Sequence, residues 1–400
     1  MALTPVAEAL QLILADARCA APVESVPLRA ASGRVLARDL HSGIDVPPAD
    51  NSAMDGYALR AADLRPGAAL PVAQRIAAGS VGSALAAATA ARIFTGAELP
   101  PGADAVVMQE DCRAQNGEVL IEVAVTPGDN VRPRGQDIAV GQRLVGAGQR
   151  LDAAAVALLA AAGMAQVPVF RRLRVAVLCT GDELVEPGLP TGPGQIYNSN
   201  RPLLSGLLET LGCEVVDLGI VADTAEATAA ALQRASQQTD CIISTGGVSA
   251  GEEDHVREQL ERHGQLRLWK LNIKPGKPLA YGSINGVPFF GLPGNPSSVF
   301  VTFFLIAQPY LKRLQGRAES GMPPLKLPAA FDWPRPGKRQ EYLRARIVVA
   351  GAGLEVEIYP NQSSGVLASV AWANALVVIY PGATVSRGGL VEVLPLGEWL

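Results

Sequence analysis

The 400-residue chain is predicted to be a multi-domain α/β plus β protein. Its parts are a doubly wound parallel α/β domain, an elongated β-rich N-terminal region and a small C-terminal β domain. Three observations predict this. From about residue 173 to 321, short apolar runs alternate with amphipathic segments, the rhythm of strand–helix units on a parallel sheet. Residues from about 60 to 145 instead read as short strands punctuated by Pro-Gly and Asn-Gly turns. After Pro323-Pro324 the strand rhythm returns and lasts to the end. The length allows two to four domains with real cores.

Composition narrows the function. An apolar fraction of 48% with 18% charged residues is that of a globular chain, not a disordered one. A net charge of −4 gives no global basic field for nucleic acid or an anionic membrane. Any anionic ligand must then be held by local lysines and arginines. The five cysteines, Cys19, Cys112, Cys179, Cys213 and Cys241, are scattered, odd in number and never in CxxC spacing. That pattern argues against a disulfide framework or a zinc site and for a reducing compartment. The first residues lack a signal-peptide pattern, and the apolar run near Phe300 is too short to span a membrane and ends in Gln308-Pro309. A cytoplasmic protein is expected. No fixed-period repeat is present.

The elements follow in order. Thr4-Pro5 predicts a helix opening, a capping hydroxyl followed by proline in the first turn. Val6, Leu10, Ile13 and Leu14 continue it at helical spacing. The polar loop from His41 to Tyr57, with two prolines and three aspartates, is long enough to suggest function. Ala91–Thr95 and Ala105–Met108 read as strands, and Asp152–Ala162 as a helix capped by Asp152 and ended by Gly163. Arg174–Cys179 reads as a buried strand closed by Thr180–Leu184. Asn198-Ser-Asn starts a helix that Gly212 ends. Glu214–Leu218 is a strand and Ala225–Gln237 a helix. The strand Cys241–Ile243 feeds a glycine-rich turn and a helix reaching about His263. Pro288–Leu292 leads through Pro-Gly-Asn-Pro296 into a helix from Ser297 to about Leu314. Tyr342–Val349, Glu355–Tyr359 and Ala375–Ile379 are the tail's strands.

In an open α/β sheet, ligands sit beyond the carboxyl ends of the strands. The loops at 180–184, at Asp223, at 245–254 and at 293–298 fall there together. Glu183, Asp223 and Asp254 offer hard oxygen donors suited to Mg²⁺. Each carboxylate alone is equally what a helix N-terminus attracts. Backbone N–H groups of the 245–251 and 293–298 turns can point at an anion. The stretch from Trp269 to Pro278 carries Lys270, Lys274 and Lys277 among prolines, predicting a rigid cationic loop suited to an oxyanion or phosphate. A solvated charge run has the same composition.

Five motifs in this order resemble the molybdopterin molybdenumtransferase family. They are Asp50-Asn-Ser-Ala-Met-Asp-Gly-Tyr57, Thr180-Gly-Asp-Glu-Leu184, Gly246-Gly-Val-Ser-Ala-Gly251 with Asp254, Lys274-Pro-Gly-Lys-Pro278 and Gly291-Leu-Pro-Gly-Asn-Pro296. That family comprises the bacterial MoeA proteins and the E domain of gephyrin, and the resemblance covers nearly the whole chain. It implies cleavage of adenylylated molybdopterin and insertion of molybdate at the dithiolene, with AMP released and Mg²⁺ required. Carried over by position, Lys274, Lys277, Ser298, Arg344 and Ser364 match the molybdate pocket. Asp223, Asp254 and Glu183 match the nucleotide-cleavage and Mg²⁺ region. Thr180, Gly181, Gly246, Gly247, Ser249, Gly251, Lys270, Gly294, Asn295 and Pro296 match the cofactor-binding loops. Asp55, Thr95 and Asp137 match functional positions of the N-terminal half, contributed in trans within a homodimer. The neighbouring Arg346 and Ser363 leave the register of Arg344 and Ser364 open by one or two residues.

The resemblance also implies a division into residues 1–21 and 173–321 (α/β), 22–41 and 142–172 (linking and dimerisation), 42–141 (β-rich) and 322–400 (C-terminal β). Implied partners are a molybdopterin adenylyltransferase as upstream donor and molybdoenzyme maturation factors. Two alternatives stay open. The α/β domain standing alone resembles the adenylyltransferase itself, and the gephyrin likeness allows a scaffold.

Overall fold

The computed structural model describes residues 3–19, 21–247, 255–318, 323–351 and 353–397. At its centre is a six-stranded sheet in the order Glu214–Val221, Arg174–Thr180, Cys241–Thr245, Val287–Leu292, Pro278–Ile284 and Gly264–Lys270. The first four strands are parallel, Pro278–Ile284 runs against them, and Gly264–Lys270, antiparallel to it, returns to their direction. Along Arg174–Thr180, Val175 and Val177 enter one core while Ala176 and Leu178 enter the other. Period-two alternation with both faces covered explains the unbroken apolar run.

Two expectations change here. The sheet is not wholly parallel, because Asn285-Gly286, both at positive φ, closes a tight hairpin between its fourth and fifth strands. Gly264–Lys270 then pairs antiparallel with Pro278–Ile284, so Trp269 and Lys270 belong to a strand. The rigid cationic loop shrinks to residues 271–277.

Helices cover both faces. Val6–Asp16, Asn200–Leu211 and the helices from Pro296 to Leu314 share one core; Ala225–Gln238 and His255–His263 share the other. The first helix begins after Pro5 with no side-chain cap. Thr4 instead gives its backbone N–H to Lys270 O at 3.1 Å and takes Asn272 N at 2.8 Å, so its hydroxyl is not the predicted cap. Arg267 donates to Asp16 at 2.6 and 2.7 Å, fastening the helix to the sheet edge. The last helix is broken into Pro296–Thr302, a π turn Phe303–Ala307 and Gln308–Leu314. Pro309 explains the break: it has no N–H for the α ladder, and its ring crowds the preceding turn.

The β-rich region forms a separate sheet in the order Ala105–Met108, Gly56–Leu59, Ala90–Ile93, Ala69–Ile76, Glu118–Ile121 and Cys112–Gln115. It is reached through Val23–Pro27 paired with Gln166–Phe170, and Leu40–His41 paired with Arg143–Val145. The helix Ala153–Ala161 packs beside these pairs, with Asp152 accepting Ala155 N at 2.7 Å as its cap.

The C-terminal sheet contains Gln340–Ala350, Ala375–Ile379, Leu390–Pro395 and Leu325–Pro328. Its edge is supplied by the α/β domain: Ile273–Lys274 runs parallel to Gln340–Glu341. Arg339 Nη1 donates to Ile273 O at 2.9 Å, and Gln340 N to Asn272 O at 3.3 Å. Two residues thus join two bodies by backbone pairing. No helix of the described residues is long and apolar enough to cross a membrane.

Candidate functional site

The α/β and C-terminal bodies meet at the start of the helix Pro296–Thr302. Ser297 N donates to Ser364 O, and Asn295 Nδ2 to Ser364 Oγ, both at 3.1 Å. Ser297 Oγ donates to Val366 O at 2.9 Å. The loop around Ser364 is held from its other side by Gln362, which accepts Arg344 N and donates to Arg344 O, each at 2.9 Å.

Arg344 is 0% exposed. Its Nε donates to Ser369 Oγ at 3.0 Å and its Nη2 to Ser363 O at 3.1 Å. Among the described residues it has no carboxylate partner. Burial alone pushes its pKa down to about 10, so the guanidinium stays charged at neutral pH. A buried cation facing only neutral oxygens is costly unless an anion arrives. Two residues on, Arg346 goes elsewhere: it lies 4.7 Å from the Trp372 ring centroid and donates to Trp372 O. Alternation puts both arginines on one face of the strand, yet only Arg344 joins the Ser363–Ser364 loop.

The cationic turn reaches the same place. Gly276 has φ +102°, and a Cβ there would come 2.6 Å from Thr302 Cγ2 and 3.7 Å from Ser298 O. Only glycine allows this approach. Ser298 is buried and its carbonyl accepts Thr302 Oγ1 at 2.7 Å. The turn carrying Lys277, whose side chain is exposed, thus lies against Ser298; the adjacent Ser297 bonds Ser364, and Arg344 reaches the carbonyl of the preceding Ser363. Lys274 Nζ is held by Glu341 at 3.1 Å.

The carboxyl ends of the parallel strands form the neighbouring half. Thr180 is buried, and its Oγ1 has no hydrogen-bond partner among the described residues. Gly246 and Gly247 close over it: a Cβ would sit 2.9 and 3.1 Å from Thr180 Oγ1, respectively. The two glycines thus let this turn lie against the neighbouring strand end. Gly181 lies under the Glu183 carboxylate, which a Cβ would meet at 2.6 Å. Glu183 is exposed and Asp223 partly so, each following one of two adjacent strands. Ser249, Gly251 and Asp254 lie outside the described residues. Gly294, Asn295 and Pro296 form the turn facing the C-terminal body, whereas Lys270 ends the far antiparallel strand.

Asp55, Thr95 and Asp137 stand apart, in the β-rich region. Asp55 Oδ1 accepts both Thr95 N and Thr95 Oγ1 at 2.8 Å. These bonds, the backbone one first, hold the Asp55 carboxyl below the usual value of 3.8. Asp137 is exposed, with its backbone N–H on Val46 O at 3.0 Å.

Sequence reasoning missed four residues. Ser369 and Gln362 orient Arg344 and its loop, but nothing in their local spacing reveals this. Glu341 hides in the motif that yielded Arg344. Asn200 was read only as a helix start. Its Nδ2 donates to Gly294 O at 2.6 Å, while its buried Oδ1 has no partner among the described residues.

Fold and junction together define a multi-domain α/β protein whose two bodies meet beside a buried arginine that has only neutral partners among the described residues. Three family models match in succession: "MoeA N-terminal region (domain I and II)" over residues 4–163, "Probable molybdopterin binding domain" over 176–313, and "MoeA C-terminal region (domain IV)" over 326–396. A molybdopterin molybdenumtransferase of Haemophilus influenzae is 38% identical, over 94% of this chain and 95% of the relative. One from Nostoc is 39% identical, over 93% and 88%. A solved molybdopterin biosynthesis MoeA protein from Pyrococcus horikosii superposes with a TM-score of 0.85 at 34% identity, covering 100% of both chains. The chain belongs to the MoeA family.

Proposed function

We propose that this protein is a molybdopterin molybdenumtransferase: it cleaves adenylylated molybdopterin and places molybdate on the dithiolene sulfurs, releasing AMP. The observation that carries the reading is Arg344, a fully buried cation with only neutral partners among the described residues. A dianion at that point would offset the cost of burying it. Lys277, Ser298 and Ser364 surround the oxyanion, adding charge and hydroxyl donors.

The pterin and its anhydride lie across the carboxyl ends of the parallel strands. Thr180 Oγ1, buried and without a partner among the described residues, donates to the ligand, with Gly181, Gly246 and Gly247 allowing close backbone approach. Asn200 Oδ1 accepts an N–H or O–H of the ligand, its amide orientation set by the carbonyl of Gly294 on the other side. Ser249 and Gly251 extend the cradle, Lys270 adds charge, and Gly294, Asn295 and Pro296 form its wall.

Mg²⁺ fits the donors that remain. Glu183 and Asp223 follow neighbouring strands and are both hard oxygen ligands, and Mg²⁺ characteristically takes one or two carboxylates beside substrate phosphates. They would hold the ion with Asp254, and the ion would neutralise phosphate charge. Asp55, Thr95 and Asp137 act on the cleft of the partner subunit in a homodimer, which gives a role to the exposed Asp55–Thr95 pair and to the exposed Asp137, all outside the α/β domain. The division at residues 1–21 with 173–321, 22–41 with 142–172, 42–141 and 322–400 follows the same scheme. An adenylyltransferase supplies the substrate and maturation factors receive the product, in the cytoplasm.

The test is loading by the full-length protein with adenylylated molybdopterin, Mg²⁺ and molybdate or tungstate, following AMP release. Stoichiometric AMP and metal-loaded cofactor are expected. Accumulation of adenylylated product from molybdopterin and ATP would instead identify an adenylyltransferase.

A further inference from the structure

Glu341 is an unusual residue to find beside an anion seat. It is 4% exposed, whereas the lysine it binds is half exposed. Room for its carboxylate is made by Gly337, where a Cβ would come 2.2 Å from Glu341 Oε1. Lys274 and Glu341 are register partners across the parallel pair that joins the α/β and C-terminal bodies. Lys274 is also the first residue of the turn whose Gly276 lies against Thr302 and Ser298.

We infer that Glu341 is a positioning residue for the oxyanion seat. Through Lys274 it fixes the turn 274–277 only when the two bodies are docked, so the cations of that turn are in place only in the assembled site. A free lysine on a two-residue strand would sample many rotamers, and ordering it on ligand binding would weaken affinity. An anchored one has already met that cost. The fixed carboxylate is rigid because it is buried, and the lysine inherits the rigidity. The inference rests on the oxyanion-seat reading above.

The experiment is calorimetric titration of molybdate alone into full-length wild type, Glu341→Gln, Lys274→Ala and the double variant. Glu341→Gln should bind about tenfold more weakly, the loss expected for one charge-assisted bond. In the Lys274→Ala background the same change should have no further effect. Unaltered or tighter binding by Glu341→Gln overturns the inference, since a mere counter-charge would weaken the seat and its removal would strengthen it. A loss that persists without Lys274 also overturns it, as general damage to packing. If Lys274→Ala itself binds as wild type, the seat reading fails along with the inference; if Lys274→Ala is weakened while Glu341→Gln is not, the inference alone fails. Should Glu341→Gln not fold, Glu341→Asp carries the same test: a smaller loss that vanishes in the Lys274→Ala background.

Discussion

The β-rich region and the junction between the α/β and C-terminal bodies both hold polar residues that the sequence singles out, and they hold them in opposite ways. Asp55 and Thr95 are exposed and satisfy each other. Arg344, Thr180 and Asn200 are buried and left incomplete: a charge without a counter-charge, a hydroxyl and a carbonyl without partners among the described residues. A surface pair closed on itself costs little and waits for something brought to it. Buried groups left without partners cost stability, and under the proposed function these three are the ones that meet the ligand.

The largest test of that contrast is Arg344. Arg344→Ala should lower the rate of cofactor loading by about 10²–10³-fold, the range for removing one preorganised donor from an oxyanion site. Arg344→Lys should not restore it, because the planar fork that reaches Ser369 and Ser363 is lost. Arg344→Met, which removes the charge at similar volume, should leave the melting temperature equal to or above wild type, measured calorimetrically. A sharp fall in melting temperature would move Arg344 to the structural side of the comparison.

Gly276→Ala changes no charge but forces its turn off Thr302. Loading should fall about 100-fold, as expected when groups in a site shift by about 1 Å, with the β-rich region unaltered by amide exchange. Asn200→Ala removes a buried acceptor that has no partner among the described residues, and with it the hold on Gly294. A drop of about tenfold, appearing mostly in the KM for adenylylated molybdopterin, is expected.

Asp55 gives the smallest effect and a pH signature. Its folded pKa lies below the ordinary 3.8, so its contribution is fully present above the unfolded value and is lost only as pH falls through the depressed folded one. Exchange protection of the Thr95 amide should therefore hold from pH 7 down to about 4 and fade below. Asp55→Asn should leave the fold intact and slow loading by only about a few-fold. Loss of protection already at pH 5 would show that the pair is not closed on itself.

Much of the α/β domain was legible because parallel strands buried on both faces leave unbroken apolar runs between amphipathic helices. Cys241–Thr245 and Asn200–Leu211 are such cases. The antiparallel return is encoded only by the short Asn285-Gly286 turn, a local hairpin signal that the strand–helix rhythm around it does not reveal. Thr4 was misassigned because a capping hydroxyl competes with backbone pairing to residues 270–272, which no local pattern encodes. At the junction, Arg344 and Arg346 share a strand face, so spacing could not separate them; only Ser369 and Trp372, on a distant helix, send them different ways.

The two-residue strand Ile273–Lys274 has a consequence for how this chain can be rearranged. The boundary between the α/β and C-terminal bodies is easy to draw in sequence, yet it is not a place where modules can be swapped freely. A C-terminal body expressed alone would expose the main-chain edge of Gln340-Glu341, an invitation to intermolecular strand pairing. Chimaeras with relatives should stay monodisperse only when the segments around Lys274 and Glu341 come from the same parent.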